Sequence, residues 1–427
     1  MRKWRKTLFL ALFILALSAF FVANSIIVTG HEVRLVTSTF PRIELSADPT
    51  IDEIIENGKE TRYQGAVYFV NEDLYKDVEV KGRGNTTFRS EKIPFQIKFS
   101  EKVDLYGMGK SKKWILLADY YDSTQVRNSL AFYLERLLGE QFALNGKFVE
   151  LYYNNERLGL YYLTPKVEIA KSRVDLRDPL GVLAEYDTVH HENKVCYTPK
   201  SGGCITVSDL VSKDNESAAM TDFMKSYDNL MSAAKRGDYA AVSKLADTES
   251  LAIYYILSEF SVNPDAYVSS FYFYKDGPDD KIHAGPGWDF DFAFGNRRWS
   301  YAKEDEFFSP SFKQFQRRWA FGGSEYFDKV SGTSRVMESD DAISKLLYYM
   351  IDMPEFLSQV KTIYRERLMG KKDGIIGFIK DEVALIKDQA LRDNSQLQFD
   401  DFYTELDELF IWLSERFNHF DTEYGEN

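Results

Sequence analysis

From Arg34 to Phe99 the chain is built of short runs in which apolar and polar residues alternate: Arg42-Ile43-Glu44-Leu45, Gln64 to Val70, Asp77-Val78-Glu79-Val80 and Phe95-Gln96-Ile97-Lys98-Phe99. A period of two with β-branched and aromatic content predicts strands, because successive strand side chains point to opposite faces. The period then lengthens. Asp122-Ser-Thr-Gln125 reads as a helix start, with Asp122 as N-cap, and Val126, Leu130, Leu134, Leu137 and Leu138 line one side until Gly139 ends the run. Phe148–Tyr153 and Leu158–Leu163 flank an Asn154-Asn155 turn and predict a hairpin, and Val182–Tyr186 predicts a further strand. Residues 31–190 are therefore expected to form a sheet-rich lobe with one helix packed on it.

Asp187 to Asn215 is polar and contains glycine, which suits a boundary. Beyond it, helices are predicted at Met220–Lys235, Tyr239–Leu245 and Thr248–Phe260, a second hairpin at Val268–Trp288, and a helical tail from Asp340 to Glu423. In that tail Phe402, Leu406, Leu409, Leu413, Phe417 and Phe420 recur at spacings of three and four. The expected fold class is α+β, with the sheet-rich lobe followed by a mainly helical lobe over residues 191–427.

One segment fits neither lobe. Arg2, Lys3, Arg5 and Lys6 precede an apolar run, Leu8–Val28, whose 21 residues suffice as a helix to cross a bilayer core of about 30 Å. Residues 1–30 are read as a signal anchor in a single-pass cell-membrane protein, with the basic cluster cytoplasmic and the body extracytoplasmic. Val22-Ala23-Asn24-Ser25 offers small residues near a cleavable position, so secretion after signal cleavage is the alternative.

Composition narrows the chemistry. The chain has 427 residues, 44% hydrophobic and 28% charged, which excludes a disordered or multi-pass membrane protein. With 66 acidic against 53 basic side chains, the net charge is −13, and no basic patch offsets it; nucleic acid is not an expected partner. Five histidines and no HExxH leave few players for zinc or Ser-His hydrolysis, so carboxylate chemistry is favoured. The 15% aromatic content is spread over both lobes and reads as core packing rather than a sugar-binding platform. Cys196 and Cys204, separated by YTPKSGG, are a disulfide candidate in an exported protein. A bridge over so short a loop restrains the unfolded chain by roughly 2–3 kcal/mol. A cytosolic body would leave the thiols free.

The acids that stand out are Asp265, in Asn263-Pro-Asp265, and Asp289 and Asp291, in Gly-Pro-Gly-Trp-Asp-Phe-Asp-Phe. If residues 263–295 form a hairpin folding near Pro278, Asp265 and Asp289 emerge at the same open end, and a separation of two puts Asp289 and Asp291 on one face of an extended segment. Two or three carboxylates suit a hard cation such as Mg²⁺. Solvated, inert acids are the plain alternative. Trp288, Phe290, Phe292 and Phe294 weigh against it, because unpaired carboxylates among apolar bulk are costly unless a cation compensates.

The first lobe supplies a complement. Lys81-Gly-Arg83-Gly84-Asn85-Thr-Thr87 follows a strand, and its glycines let backbone N–H groups approach an anion to which Arg83 also donates. It matches neither GxxxxGK[ST] nor GxGxxG. Lys98 alternates with Ile97 and Phe99, so its amine points away from the face they occupy; a snorkelling surface lysine is the alternative.

Taken in order, GRGNTTF, KIPFQIKF, LYGM, KKWILLADYYDSTQVRNSLAFYL, FVELYYNNERLGLYYLTPKVE and GPGWDFDFAFG resemble the CotH family of spore-coat-type atypical protein kinases, over roughly Pro41 to Gly295. The resemblance implies a divergent two-lobed kinase-like fold that transfers the γ-phosphoryl of ATP, with Mg²⁺ (or Mn²⁺), to Ser or Thr of a protein substrate. Carried over by motif, Asp265 resembles the catalytic aspartate, Asp289 the metal aspartate with Asp291 assisting, and Lys98 the lysine on the nucleotide phosphates; Arg83, Gly84 and Asn85 would meet the nucleotide. Two positions depart from the pattern. Ser270 stands where relatives carry Asn, leaving a second metal ligand open, and Pro165 in Thr164-Pro-Lys166 leaves the carboxylate partner of Lys98 unassigned among Glu135, Glu168 and Glu185. An exported kinase acting on surface or secreted proteins is the leading expectation. A catalytically inactive kinase-like module organising a cell-surface or coat assembly is the alternative.

Overall fold

The structure, a computed structural model, describes residues 40–85, 87–188, 194–263, 265–296, 344–397 and 402–425, together with the backbone of two antiparallel ribbons, Ile26–Thr29 with Glu32–Leu35 and Glu325–Asp328 with Thr333–Val336. Of the apolar run Leu8–Val28, only Ile26–Val28 fall within that set, in the first ribbon; the anchor reading otherwise lies outside the described residues. Among the described residues no helix is long and apolar enough to cross a membrane.

The architecture is α+β, with a sheet-rich part and a helical part. The four alternating runs and the hairpin become six strands, β1 (Arg42–Ala47), β2 (Tyr63–Phe69), β3 (Leu74–Gly82), β4 (Phe95–Asp104), β6 (Lys147–Tyr153) and β7 (Glu156–Pro165), and a strand not expected from the sequence, β5 (Lys110–Leu117), joins them. They close into a barrel in the order β1-β2-β3-β4-β5-β7-β6, with β6 returning parallel to β1. Closure removes both sheet edges. The apolar partners of each alternation point inward, so that Val67, Phe69, Val78, Val80, Phe95, Ile97, Phe99, Trp114, Leu116 and Leu151 fill the interior. Helix α1 (Ile51–Asn57) opens with a reciprocal capping box between Thr50 and Glu53 and buries Ile54. The β6–β7 turn uses Asn154 and Asn155 at φ 48° and 70°, the left-handed conformation that asparagine tolerates best among side-chain-bearing residues.

The second part has its own core. A four-stranded sheet runs in the order β9 (Ile205–Leu210), β8 (Val182–Tyr186), β10 (Phe271–Lys275), β11 (His283–Ala284). Around it lie α2 (Arg127–Leu138), α3 (Glu216–Lys235), α4 (Tyr239–Leu245), α5 (Thr248–Ser261), α6 (Leu346–Ile351), α7 (Pro354–Arg367), α8 (Lys372–Leu397) and α9 (Phe402–Tyr424). β8, grouped by sequence with the first lobe, pairs here with β9 and β10. Its five residues are buried, as are all five of β10, and a run buried on both faces carries no alternation to say which sheet it joins.

Two local expectations are corrected. α2 begins at Arg127, not at Asp122. The Asp122 carboxylate accepts from the backbone N–H groups of Thr124 and Arg127 and from the Arg127 guanidinium, so it closes a buried turn ahead of the helix. The second arm of the 263–295 hairpin shrinks to His283–Ala284, and the residues from Gly285 to Asn296 form loops and turns.

Long-range polar contacts bind the tail helices to the rest. Asp393 of α8 accepts from Lys92 at 2.9 Å, from Arg157 at 2.8 Å and from the backbone N–H of Leu160 at 2.8 Å. Arg416 of α9 donates to the carbonyls of Glu259 and Phe260 in the last turn of α5. Cys196 and Cys204 form the expected disulfide, with Cα atoms 5.4 Å apart.

Candidate functional site

Arg416 fixes the C-terminal turn of α5, and the chain leaves that helix through Val262 in a left-handed conformation, φ 49°. It passes directly into Asn263 and Asp265. The Asn263 side-chain oxygen accepts from the Asp265 N–H at 3.1 Å, an Asx turn, and its amide donates to the Asp289 carbonyl at 3.1 Å. A second tie, Phe294 N–H to the Ser261 carbonyl at 2.7 Å, holds the Asp289 loop against the same helix end.

Asp289 itself has φ 69°, so the extended geometry expected for Asp289 and Asp291 is replaced by a turn. The turn still brings the two carboxyls into hydrogen-bond contact. Asp291 is buried and its Oδ1 has no hydrogen-bond partner, while Asp289 is half-buried. Burial pushes the Asp289 carboxyl up, partly offset by the Arg83 guanidinium. Burial and then the Asp289 charge drive Asp291 well above the carboxylate range. Asp265, half-buried, is pushed up to about 7 by desolvation and then by Asp289 and Asp187. Asp119 also rises to about 7, from burial and the neighbouring Asp122.

Among the described residues no three His, Cys, Asp or Glu side chains are grouped so as to hold a metal ion. Asp265 is an electrostatic neighbour of the Asp289–Asp291 pair. The pair itself fits a hard cation: two adjoining carboxyls, one with a buried unpartnered oxygen, carry an uncompensated cost that a divalent ion would offset.

The barrel presents cations to this pair. Arg83, just past β3, is half-buried with its guanidinium carbon 4.9 Å from the centre of the Trp288 ring, and its Nη1 is buried without a partner. It feels the charges of Asp289 and Glu185. Gly84, at φ 90°, lies so close to Thr87 that a Cβ would stand 2.3 Å from its hydroxyl oxygen. Asn85, in contrast, is exposed and taken by Lys59.

Lys98 occupies the outer barrel face, as its alternation implies, but its ion pair is with Glu79 at 3.4 Å. None of the three carboxylates considered for it serves. Glu168 pairs with Lys113 at 3.1 Å, Glu185 with Lys194 at 2.9 Å, and Glu135 accepts from Gly287 N–H. Lys98 and Lys113 are cross-strand neighbours, and Lys166 bonds through its backbone to Lys113, so the three lysines form a row across β4, β5 and the end of β7. Burial and the repulsion of Lys113, with a smaller contribution from the Arg83 charge, lower the Lys166 amine to about 8. Lys166 stands in Leu163-Thr-Pro-Lys166, and its place beside Lys113 follows from the pairing of β5 with β7. Asn263 was also in plain view, and its signal was the Asx turn that asparagine makes two residues ahead of a backbone N–H.

The loop is held from α2 as well. Asn128 donates to Asp119 at 2.8 Å and accepts from Phe290 N–H at 2.9 Å. Ser270, at φ 55°, is buried at the start of β10. A surface groove along α3, lined by Tyr197, Glu216, Met220 and Met224, includes none of the site's acids.

The profile of a family described as CotH kinase protein matches residues 80–417. The match covers most of the chain and takes in the helical tail, beyond the Gly295 limit of the motifs recognised in the sequence. No curated protein matches the chain.

Proposed function

The chain belongs to the CotH kinase family, and on that premise we propose that it transfers the γ-phosphoryl group of ATP to Ser or Thr of a surface or secreted protein, its body exported and tethered by the N-terminal apolar run. The observation that carries the reading is a pair of spare valences on either side of Asp289: the unpartnered Arg83 Nη1, whose guanidinium charge acts on Asp289, and the unpartnered Oδ1 of Asp291. Phosphoryl transfer needs a positioned cation for the phosphate oxygens and carboxylates for a metal.

Asp289 and Asp291 would hold Mg²⁺ or Mn²⁺. Bound there, the ion would screen the charge of the transferring group. Arg83 and Lys166 donate to phosphate oxygens, the role first expected of Lys98. Asp265 orients the acceptor hydroxyl and takes its proton, and a carboxyl held near 7 is matched to work as a base at neutral pH.

A second reading, a kinase-like binding module without transfer, is favoured by Ser270, a short hydroxyl where relatives carry a metal-binding amide. Labelled γ-phosphate transfer with Mg²⁺ or Mn²⁺ separates the two. Asp289→Asn is expected to abolish both transfer and the thermal shift from ATP plus metal, whereas Asp265→Asn abolishes transfer and keeps the shift. No transfer and no shift in the unaltered chain would end the kinase reading.

A further inference from the structure

The segment leading to Asp289 is gripped by carboxyls that the reaction does not use. Glu135, buried on α2, accepts from the Gly287 N–H through Oε1, while its Oε2 is buried without a partner. Glu140, just beyond α2, packs on Gly285: a Cβ there would stand 2.9 Å from the Glu140 carboxyl carbon. A Cβ on Gly287 would stand 2.8 Å from Glu135 Oε1. The two glycines flanking Pro286 thus each lie against a carboxyl, at separations that leave no room for a side chain.

This grip acts where conformation is costly. Asp289, two residues beyond Gly287, sits at φ 69°, a conformation that a non-glycine residue keeps only when its surroundings impose it. Three side chains impose it here: Asn263 at the Asp289 carbonyl, Asn128 at the Phe290 N–H and Glu135 at the Gly287 N–H. The last is the only one of the three on the N-terminal side of Asp289.

We propose that Glu135 is a positioning residue for the Asp289–Asp291 carboxyl pair, acting through its hydrogen bond to Gly287. The proposal rests on the kinase reading for its consequence in transfer, but the contact itself does not. Burial and the neighbouring Glu140 push the Glu135 carboxyl well above the usual range. Glutamine has the same shape and keeps an acceptor for the Gly287 N–H; alanine removes it and leaves that buried N–H unpaired.

The test uses the full chain and three variants, Glu135→Gln, Glu135→Ala and Gly287→Ala. Hydrogen exchange is followed over residues 285–292, and transfer is titrated with Mg²⁺ alone as the varied probe. Expected is faster exchange in that segment and a roughly tenfold or greater rise in half-saturating Mg²⁺ for Glu135→Ala and Gly287→Ala, with a smaller change in kcat at saturating metal, and both restored in Glu135→Gln. Wild-type exchange and metal dependence in Glu135→Ala would overturn the proposal. So would a Glu135→Gln variant as impaired as the alanine, which also decides the matter if the alanine variants do not fold. If the unaltered chain transfers no phosphate, the kinase reading fails, and the exchange data still decide whether Glu135 sets the loop.

Discussion

Asn263 donates from its side-chain amide to the backbone carbonyl of Asp289 at 3.1 Å, across 26 positions of sequence. The same side chain accepts from Asp265 N–H at 3.1 Å. One buried amide thus sets the spacing between the proposed base and the proposed metal carboxylate.

Asn263→Ala removes both bonds and leaves a carbonyl and an N–H unpaired, at a cost of about 1–3 kcal/mol in stability. Transfer is expected to fall further than that cost implies, on the order of 10²-fold in kcat, because misplacement of reacting groups is penalised steeply. Steady-state kinetics beside a denaturant melt check this. A stable variant with unchanged kcat would contradict the positioning role.

Lys166 and Lys98 are separated by a paired substitution. Lys166→Met is expected to raise KM for ATP, since this amine lies in reach of Arg83. Lys98→Met loses a pair whose lysine side chain is 36% exposed, worth about 1 kcal/mol or less, and KM for ATP stays near that of the unaltered chain. The reverse pattern would return the phosphate role to Lys98.

The pH profile follows from Asp265. Its folded value of about 7 lies above the ordinary 3.8; the carboxylate is therefore the minority form below about 7, and transfer is expected to climb as pH rises through that value and then level. Stability takes the opposite sign. The folded chain holds this proton more tightly, so the contribution of Asp265 is full below about 3.8 and is lost as pH rises through about 7. Rate profiles with melts at matched pH test both, and Asp265→Asn should flatten the stability component.

Asp393 is a stability prediction without a catalytic one. Its side chain is 1% exposed, and that of Lys92 2%. The charges of Lys92 and Arg157 and the Leu160 N–H hold its carboxyl below the usual range against the cost of burial. Asp393→Ala leaves the buried Lys92 ammonium without its carboxylate and takes from Arg157 one of its two, Glu150 remaining, and is expected to cost about 3–5 kcal/mol. Chemical denaturation measures this; a loss under 1 kcal/mol would mean that the network is not holding the 83–94 turn to α8.

The elements were legible where periodicity is local. β6, β7, β8, α4 and α5 lie within two residues of where the alternation, the Asn154-Asn155 turn and the helical spacing put them. The site was legible as residue types: Asp265, Asp289, Asp291 and Arg83 come together. Its geometry was not. The extended Asp289–Asp291 segment is a turn because partners far off in sequence, Asn263 and Asn128, set it, and Asp122 closes a loop where a helix start was expected because its carboxylate is taken by the Arg127 backbone N–H and guanidinium, five residues on.

Sequence by itself determined most of the strands and helices, though not β5, β9 or α1, together with the two cysteines able to pair and the family, since these depend on neighbours a few residues apart or on motifs read in line. Only the tertiary structure decided that the first sheet closes on itself, that β8 leaves it for the second sheet, and that Lys98, Lys113 and Lys166 line up on neighbouring strands. The reason is register: alternation says which face a lysine takes, but which strand stands beside it follows from pairings made between segments as distant as β1 and β6.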